Sequence, residues 1–370
     1  MAVRHDIRLA DGRALYYYDS APGQDRSAPD LRVDLPEAQT SSEMRWNPLL
    51  RDYAVVAGHR QNRTYRPPEG LCPLCPSRDG NHTEVPAADY EVVVFENRFP
   101  SFSRSSAETV PWRSDAPFVS GPAAGLCEVV CFTSDHNTPF HALPPERVRT
   151  VIEAWADRTA ELAAIESVEY VFCFENRGEA IGVTLSHPHG QIYGYPFVPP
   201  RFFKEGQALQ HHLERTGRCL QCDLVKAECD EGVRIVRESE HWVAYVPFAA
   251  RWPYEVRLAP RRHVPDLPSL DDAERDDLAR SYLAVLTAFD GLFDDPTPYI
   301  AGWQQAPVRG AVDPDRVAWH LAAEVFTIQR SPGKLKYLAG SESGAGVWIN
   351  DVAPEAAAAR LRAALVRSGG

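Results

Sequence analysis

The sequence predicts an α+β fold made of two copies of one unit, each an antiparallel sheet with helices packed on one side. Two observations carry this prediction. A Cys-x-x-Cys pair occurs twice, at Cys72 and Cys75 and again at Cys219 and Cys222. After each pair the same elements follow in the same order: two β-prone runs, a histidine, an amphipathic helix and a further strand. The duplication is therefore the main organising feature of the chain, and the two sheets can join into one.

Residues 5–18 predict a β-hairpin, because Asp11-Gly12 separates two β-prone runs. Residues 19–44 are rich in Pro, Ser, Asp and Gly and predict an irregular segment. We expect three parts: the N-terminal hairpin and irregular segment over 1–44, a first repeat with the candidate active site over 45–205, and a second, catalytically degenerate repeat over 206–370.

The first copy predicts strands over 91–102, 126–136 and 169–176. The second of these strands ends at His136, and seven residues later Leu143 opens a predicted helix. The apolar residues of this helix fall on one face: Val148, Val151, Ile152 and Trp155. The copy closes with the segment His-Pro-His-Gly-Gln-Ile-Tyr at 187–193.

The second copy repeats this order, with predicted strands over 241–248, 254–263 and 299–303. Its middle strand ends at His263, and Leu270, again seven residues on, opens the second helix. The segment His-Leu-Ala-Ala-Glu-Val-Phe at 320–326 closes the copy. In this alignment Ala322 stands where the first copy has His189, and Glu324 where it has Gln191, so we expect one active site per chain.

The composition argues against two classes of protein. With 39 basic and 51 acidic residues the net charge is −12, which disfavours a surface that coats nucleic acid. No apolar run is long enough to span a bilayer, and charges within the first ten residues leave no room for a signal-peptide core. We therefore expect a cytoplasmic protein with no nucleic-acid or membrane partner. In that compartment Cys-x-x-Cys pairs indicate metal rather than disulfides.

Zinc is the expected metal, because two thiolates on one tight turn need two more ligands to complete a tetrahedron. The candidate ligands are His136 and His187 for the first pair, and His263 and His320 for the second. In an alternative interpretation the cysteines are core residues and the histidines face solvent, but two pairs in register disfavour it. Four protein ligands leave no open position for water, so each site is expected to be structural.

His189 is the candidate nucleophile. On a strand, His187 and His189 point to the same side, roughly 7 Å apart, so a zinc-bound His187 anchors its neighbour. Gly190 lets a phosphate approach the backbone, and Gln191 can donate an amide hydrogen bond to a phosphoryl oxygen. Imidazole is largely neutral near pH 7, so one ring nitrogen can attack phosphorus without a separate base. Two alternatives are a strand-end turn and a pair of metal-binding histidines.

The string His-Pro-His-Gly-Gln, preceded by Phe-Glu-Asn-Arg-Gly at 174–178, resembles the galactose-1-phosphate uridylyltransferase family of the histidine-triad superfamily. The resemblance runs from about residue 45 to residue 355. It includes the first Cys-x-x-Cys pair, Asn97 in Phe-Glu-Asn-Arg-Phe-Pro, Trp252-Pro253, and the segment 335–342. It implies a duplicated histidine-triad-like repeat, and a reaction in which UDP-glucose uridylylates His189 and galactose 1-phosphate then accepts the UMP group.

The resemblance also implies a role for each matching residue. Cys72, Cys75, His136 and His187 are then the structural zinc ligands, His189 the nucleophile and Gln191 a ligand of the α-phosphoryl group. Asn176 and Thr184 match contacts to the nucleotide phosphates, Arg60 and Arg63 a basic pair at the diphosphate, and Phe95 and Asn97 positions around uridine. Lys336 and Glu342 match a sugar-binding segment supplied by the partner subunit, which implies a homodimer with a shared active site. Simpler alternatives are solvated arginines, a turn-capping Asn97 and a loop charge at Glu342.

Two departures from the family pattern alter the expectations. Some members hold iron through a His-x-His pair near the end of the second copy, but residues 320–326 lack that pair, so we expect no iron and a second zinc on Cys219, Cys222, His263 and His320. Arg98 stands where an acidic residue often contacts ribose, which keeps an ADP-sugar phosphorylase using the same histidine as an alternative. A zinc-stabilised binding module without chemistry is a third hypothesis.

Overall fold

The computed structural model describes residues 2–33, 35, 41–60, 67–78, 80–309 and 316–367. Sixteen strands lie in this part of the chain. In chain order they are β1 (Val3–Arg8), β2 (Ala14–Asp19), β3 (Glu43–Asn47), β4 (Asp52–Val56), β5 (Val92–Glu96), β6 (Ser120–Pro122), β7 (Leu126–Cys131), β8 (Tyr170–Arg177), β9 (His189–Tyr195), β10 (Ile235–Glu238), β11 (Trp242–Tyr245), β12 (Tyr254–Pro260), β13 (Tyr299–Gln304), β14 (Ala322–Thr327), β15 (Gln329–Ser331) and β16 (Lys334–Leu335).

Eleven of the described strands form one antiparallel sheet in the order β1-β2-β5-β7-β9-β8-β13-β14-β12-β11-β10. The order β5-β7-β9-β8 of the first repeat is mirrored by β11-β12-β14-β13 of the second, and the two halves meet where β8 pairs with β13. This arrangement confirms the α+β fold with two similar units joined into one sheet. A three-stranded sheet (β4-β3-β6) and the hairpin β15-β16 lie outside it.

Six α-helices accompany the sheet in the described residues: α1 (Ser106–Thr109), α2 (Pro145–Ala163), α3 (Pro200–Thr216), α4 (Leu220–Glu231), α5 (Asp272–Asp290) and α6 (Pro354–Arg367). Helices α2, α5 and α6 cover one face, where Trp155 and Tyr282 pack against Trp303. Helices α3 and α4 cover the opposite face: Phe202 of α3 stacks on Tyr170 of β8, beside the junction of the two repeats, and Val225 of α4 packs against β11 of the second repeat. The expectation that all helices pack on one side of the sheet was therefore wrong.

The predicted hairpin over 5–18 is present as β1 and β2, joined by a turn in which Gly12 adopts a φ of +82°. The predicted helix from Leu143 begins at Pro145, because Pro144 precedes a proline and is held extended (φ −68°, ψ 150°). The predicted boundary between residues 205 and 206 falls inside α3.

Helix α2 is anchored to the sheet by a buried ion pair beneath the first repeat. Arg158 donates to both carboxylate oxygens of Glu128 on β7, at 3.0 and 2.6 Å, and both side chains are almost completely buried. Within the described residues, no helix combines the length and hydrophobicity required to cross a bilayer.

Candidate active site and metal centres

His189 is the first residue of β9, and the structure fixes its tautomer. Its Nδ1 lies 2.8 Å from the backbone carbonyl of His187, which can only accept a hydrogen bond, so Nδ1 carries the proton. In the neutral ring Nε2 then carries the lone pair, as a nucleophile requires. Because β9 begins at His189, His187 lies outside the strand, and strand alternation does not relate the two histidines as expected. The carbonyl of one histidine orients the ring of the other.

The ring of His189 lines two cavities. The first, of about 390 Å³, lies on the sheet face opposite α2 and includes Gln191. The second, of about 560 Å³, lies at the end of the sheet towards α2 and α5 and includes Glu175 and Phe140. Both cavities also contain Asn176 and residues 183–185, so they meet at the candidate nucleophile.

The first cavity gathers most of the residues predicted to bind the nucleotide. Arg60, Asn97, Asn176, Thr184 and Gln191 line it, together with Leu74, Val129, Phe174 and Tyr193, which sequence reasoning did not single out. The hydroxyl of Tyr193 donates to Gln191 Oε1 at 3.0 Å and thereby orients the Gln191 amide. The sequence could have indicated Tyr193, because residues 191 and 193 of one strand point to the same face of the sheet.

Four predicted substrate contacts lie elsewhere or outside the described chain. Phe95 is 2% exposed and packs in the core beneath the cavity with Leu15 and Val93, so its aromatic ring is not part of the lining. Arg63 lies outside the described residues. Lys336 and Glu342 form an ion pair with each other at 2.8 Å in the segment that follows β16, and neither lines a cavity at His189 in the described structure.

The predicted first zinc ligands converge on one point. Nδ1 of His136 lies 3.3 Å from Sγ of Cys75, and Nδ1 of His187 lies 3.5 Å from the same sulfur. His187 Nε2 is 2.8 Å from the Thr133 carbonyl, which fixes a tautomer with the Nδ1 lone pair towards the cluster. Burial lowers the pKa of His187 to about 4, which keeps the ring neutral as a ligand must be.

The second cluster repeats the geometry of the first. Nδ1 of His320 and of His263 lie 3.2 and 3.5 Å from Sγ of Cys222. His320 Nε2 is 2.9 Å from the Pro260 carbonyl, the counterpart of the bond made by His187. In each cluster the four ligand atoms lie within 4.8 Å of one another. A tetrahedral zinc with Zn–S near 2.3 Å and Zn–N near 2.0 Å separates sulfur from nitrogen by about 3.5 Å, so both ligand sets can hold a metal.

The second repeat closes the position that corresponds to the active site. Ala322 begins β14 as His189 begins β9, and Glu324 stands where Gln191 stands. Glu324 accepts hydrogen bonds from Arg201 of α3 and from Gln304 of β13. A guanidinium from the covering helix thus occupies this face of the second repeat, whereas the same face of the first repeat carries the cavity.

Arg98, the residue that departs from the family pattern, lies at the end of β5 beside an acidic group. Its guanidinium is 4.0 Å from Glu84 and stands 5.6 Å from the centroid of the Phe99 ring. Glu84 in turn pairs with Arg13 and with Arg32, at 2.5 and 2.8 Å. Arg98 therefore belongs to a charge network that ties the N-terminal segment to the residues preceding Phe99.

Comparisons with known proteins agree with this geometry. The models of the galactose-1-phosphate uridyl transferase N-terminal and C-terminal domains match residues 32–199 and 204–367. The chain is 46% identical to the galactose-1-phosphate uridylyltransferase of Streptomyces lividans over 96% of both chains, and 38% identical to that of Thermotoga maritima over 86% of this chain and 98% of the relative. A solved uridylyltransferase structure superposes with a TM-score of 0.76 at 33% identity, covering 88% of this chain and 99% of the other. A solved ADP-glucose phosphorylase from Arabidopsis thaliana, with a TM-score of 0.67 at 24% identity over 87% and 98% of the two chains, shares the fold. The chain therefore belongs to the galactose-1-phosphate uridylyltransferase family.

Proposed function

We propose that this uridylyltransferase moves UMP from UDP-glucose to galactose 1-phosphate in two displacements through His189. The observation that carries the proposal is the state of that ring. His189 stays outside the Cys72-Cys75-His136-His187 cluster, holds its proton on Nδ1 and stands where two cavities meet. A nucleotide sugar needs a compartment on each side of its α-phosphorus, and a covalent intermediate needs a nucleophile between them.

The chemistry follows from these positions. His189 Nε2 attacks the α-phosphorus of UDP-glucose, a P–N bond forms, and the bond to the β-phosphate oxygen breaks to release glucose 1-phosphate. A phosphate oxygen of galactose 1-phosphate then attacks the same phosphorus, and the P–N bond breaks to give UDP-galactose. The Gln191 amide donates to an α-phosphoryl oxygen, where negative charge increases in each transition state. Arg60, Asn97, Asn176 and Thr184 bind the nucleotide.

The preference for uridine over adenine is tested by the covalent intermediate itself. Purified enzyme is mixed with UDP-glucose or with ADP-glucose, and intact mass is measured within seconds. We expect one uridylyl group per chain from UDP-glucose and less than about one tenth of that adduct from ADP-glucose, since a buried polar group left without its partner by the wrong base costs about 1–3 kcal/mol. Equal adducts from both sugars, or an adenylyl adduct alone, would replace uridylyl transfer by adenylyl transfer at the same histidine.

We also propose that zinc occupies both Cys2His2 clusters. The two clusters have the same ligand types and nearly the same sulfur–nitrogen distances, and in each a carbonyl fixes the buried histidine for metal binding. The bound metal supplies structural rigidity rather than an open coordination position. At the first cluster that rigidity reaches the active site, because the carbonyl that orients His189 belongs to the zinc ligand His187.

The enzyme further acts as a homodimer in which Lys336 and Glu342 complete the partner's active site. Within one chain the segment that carries both residues starts far from the nucleophile. Phe326, near the end of the preceding strand β14, is level with His189 along the sheet but three strands away, a distance of about 14 Å. The segment beyond β14 carries exposed apolar side chains, among them Tyr337 at 76% and Val347 at 59% exposure, which a partner subunit can cover. The cytoplasm is the proposed compartment, since no disulfide links any of the eight cysteines, all of which lie in the described residues.

A shared active site predicts complementation between two inactive variants. His189→Ala keeps the sugar-binding segment, and Lys336→Ala keeps the nucleophile. Hybrid dimers made by co-expression contain one intact site, so the mixture should reach about a quarter of wild-type activity when subunits pair at random. Activity no higher than that of the separate variants would contradict the shared site, as would full activity of Lys336→Ala alone. Size-exclusion chromatography of each sample confirms that dimers are compared with dimers.

A further inference from the structure

A buried tyrosine hydroxyl lies behind the first metal cluster, where neither the sequence analysis nor the proposed reaction gives it a role. Tyr90 precedes β5 by two residues, is 3% exposed and packs in the same core cluster as Leu74. A tyrosine oxygen taken out of water needs hydrogen-bond partners, because leaving it unpaired costs about 1–3 kcal/mol. The partners of Tyr90 are therefore informative, and they belong to the metal cluster.

The hydroxyl joins the two halves of the ligand set. It donates to the backbone carbonyl of Leu74, between the two cysteines of the first Cys-x-x-Cys turn, at 2.8 Å. Its oxygen also lies 2.9 Å from Nε2 of His187. That nitrogen carries its proton, because it faces the Thr133 carbonyl, and it donates to this carbonyl and to the tyrosine oxygen together. One side chain therefore links the thiolate turn to the histidine whose carbonyl orients His189.

The second cluster lacks this link. When the strands of the two repeats are matched by their pairing, β5 to β11 and β7 to β12, Glu240 stands where the first repeat has Tyr90. The Glu240 side chain is 86% exposed just before β11. Nε2 of His320 keeps its bond to the Pro260 carbonyl, and the described residues place no tyrosine hydroxyl on that nitrogen. The molecule thus contains two similar clusters, of which one has the additional bond.

We infer that Tyr90 is a positioning residue of the first metal site, which holds His187 in the orientation that binds zinc and makes this cluster the tighter of the two. The inference rests on the proposed occupation of both clusters by zinc. A ligand that is held in place before the metal arrives loses less conformational freedom on binding, so the affinity rises. The effect extends to the nucleophile, since the His187 carbonyl accepts the hydrogen bond from His189.

The test measures zinc affinity cluster by cluster in the full chain. The protein is titrated with a chelator of known zinc affinity, free thiols are alkylated, and peptide mass spectrometry reports which cysteine pair has lost its metal. In the wild type the second pair should become reactive at a chelator concentration at least about tenfold lower than the first. Tyr90→Phe, which keeps the ring, should raise the zinc dissociation constant of the first cluster about 10- to 100-fold and leave that of the second unchanged.

Tyr17→Phe is the matched control. Tyr17 is buried in the same core cluster, and its hydroxyl accepts a hydrogen bond from the backbone N–H of Ala87 at 3.2 Å rather than from a metal ligand. Loss of this hydroxyl should shift neither zinc dissociation constant by more than about threefold. Thermal unfolding of both variants shows whether a change in affinity follows from a general loss of stability.

Three results would overturn the inference: equal zinc affinity of the two clusters in the wild type, unchanged affinity in Tyr90→Phe, or an equal loss in Tyr17→Phe. The first of these comparisons needs no variant, so it stands even if Tyr90→Phe does not fold. A wild type purified without zinc would instead overturn the proposed metal, and a wild type that forms no uridylyl adduct would overturn the proposed transfer. The failures are therefore distinguishable.

Discussion

Replacing His189 by alanine is expected to abolish the uridylyl adduct and to lower turnover by about 10⁴-fold or more, the order seen when the nucleophile of a covalent mechanism is removed. The ring has a fixed tautomer, stays outside the metal cluster and borders both cavities. Alanine removes the nitrogen that attacks phosphorus and changes little else, because the His187 carbonyl it leaves behind can accept from solvent. Intact mass after exposure to UDP-glucose measures the adduct, and a coupled assay measures turnover.

The control is a histidine that has no place in the chemistry. His211 is exposed on α3 and lines neither cavity at His189 in the described structure, so His211→Ala should form the adduct and turn over like the wild type. Thermal unfolding of both variants should match that of the wild type within a few degrees. An adduct that still formed in His189→Ala, at His187 or elsewhere, would show that another residue is the nucleophile.

Loss of the first metal cluster should inactivate the enzyme, whereas loss of the second should not. We expect two zinc ions per chain in the wild type and one in either Cys72→Ser or Cys219→Ser. Cys72→Ser should lower activity by about 100-fold or more, since even changes beyond the ligand shell cost 10- to 100-fold. The reason is that His187 both binds the metal and holds His189. Cys219→Ser changes only the second repeat, where Ala322 stands in place of a nucleophile.

Elemental analysis of purified protein, together with the adduct and turnover assays, measures both effects. Cys229→Ser is the matched control, because this thiol lies on α4 outside either cluster and its loss should leave two zinc ions and full activity. The stability of Cys219→Ser should fall by several kcal/mol, as structural zinc contributes folding free energy directly. Equal loss of activity in Cys72→Ser and Cys219→Ser would contradict the separate roles of the two clusters.

The two Cys2His2 clusters and the place of His189 beside the first of them were predictable because they depend on spacing within short motifs. Two Cys-x-x-Cys turns and the histidines at equivalent positions after them indicated both ligand sets, and the alignment of 187–193 with 320–326 placed Ala322 opposite His189. The strand order within each repeat followed from the same periodicity. These features are local, or repeated, and sequence patterns report such features well.

Other features were hidden because they depend on how distant segments pack. Helix α3 packs against Tyr170 of β8 and reaches Glu324 of β14 across the junction of the repeats, and amphipathicity alone does not say which face of a sheet a helix will cover. The second cavity forms only where the end of β8 approaches Pro139 and Pro296. The role of Lys336 depends on a second chain, so neither sequence pattern nor one chain's own geometry can assign it.

The bond between Arg201 and Glu324 adds a second difference between the two repeats to the replacement of His189 by Ala322. In the second repeat the chain supplies its own cation and its own anion at the place where the first repeat carries the first cavity. Because Arg201 and Glu324 neutralise each other, this position has no net charge with which to attract a phosphate. The same contact holds α3 against β14. One half of the molecule can thus work as a fixed frame for the other.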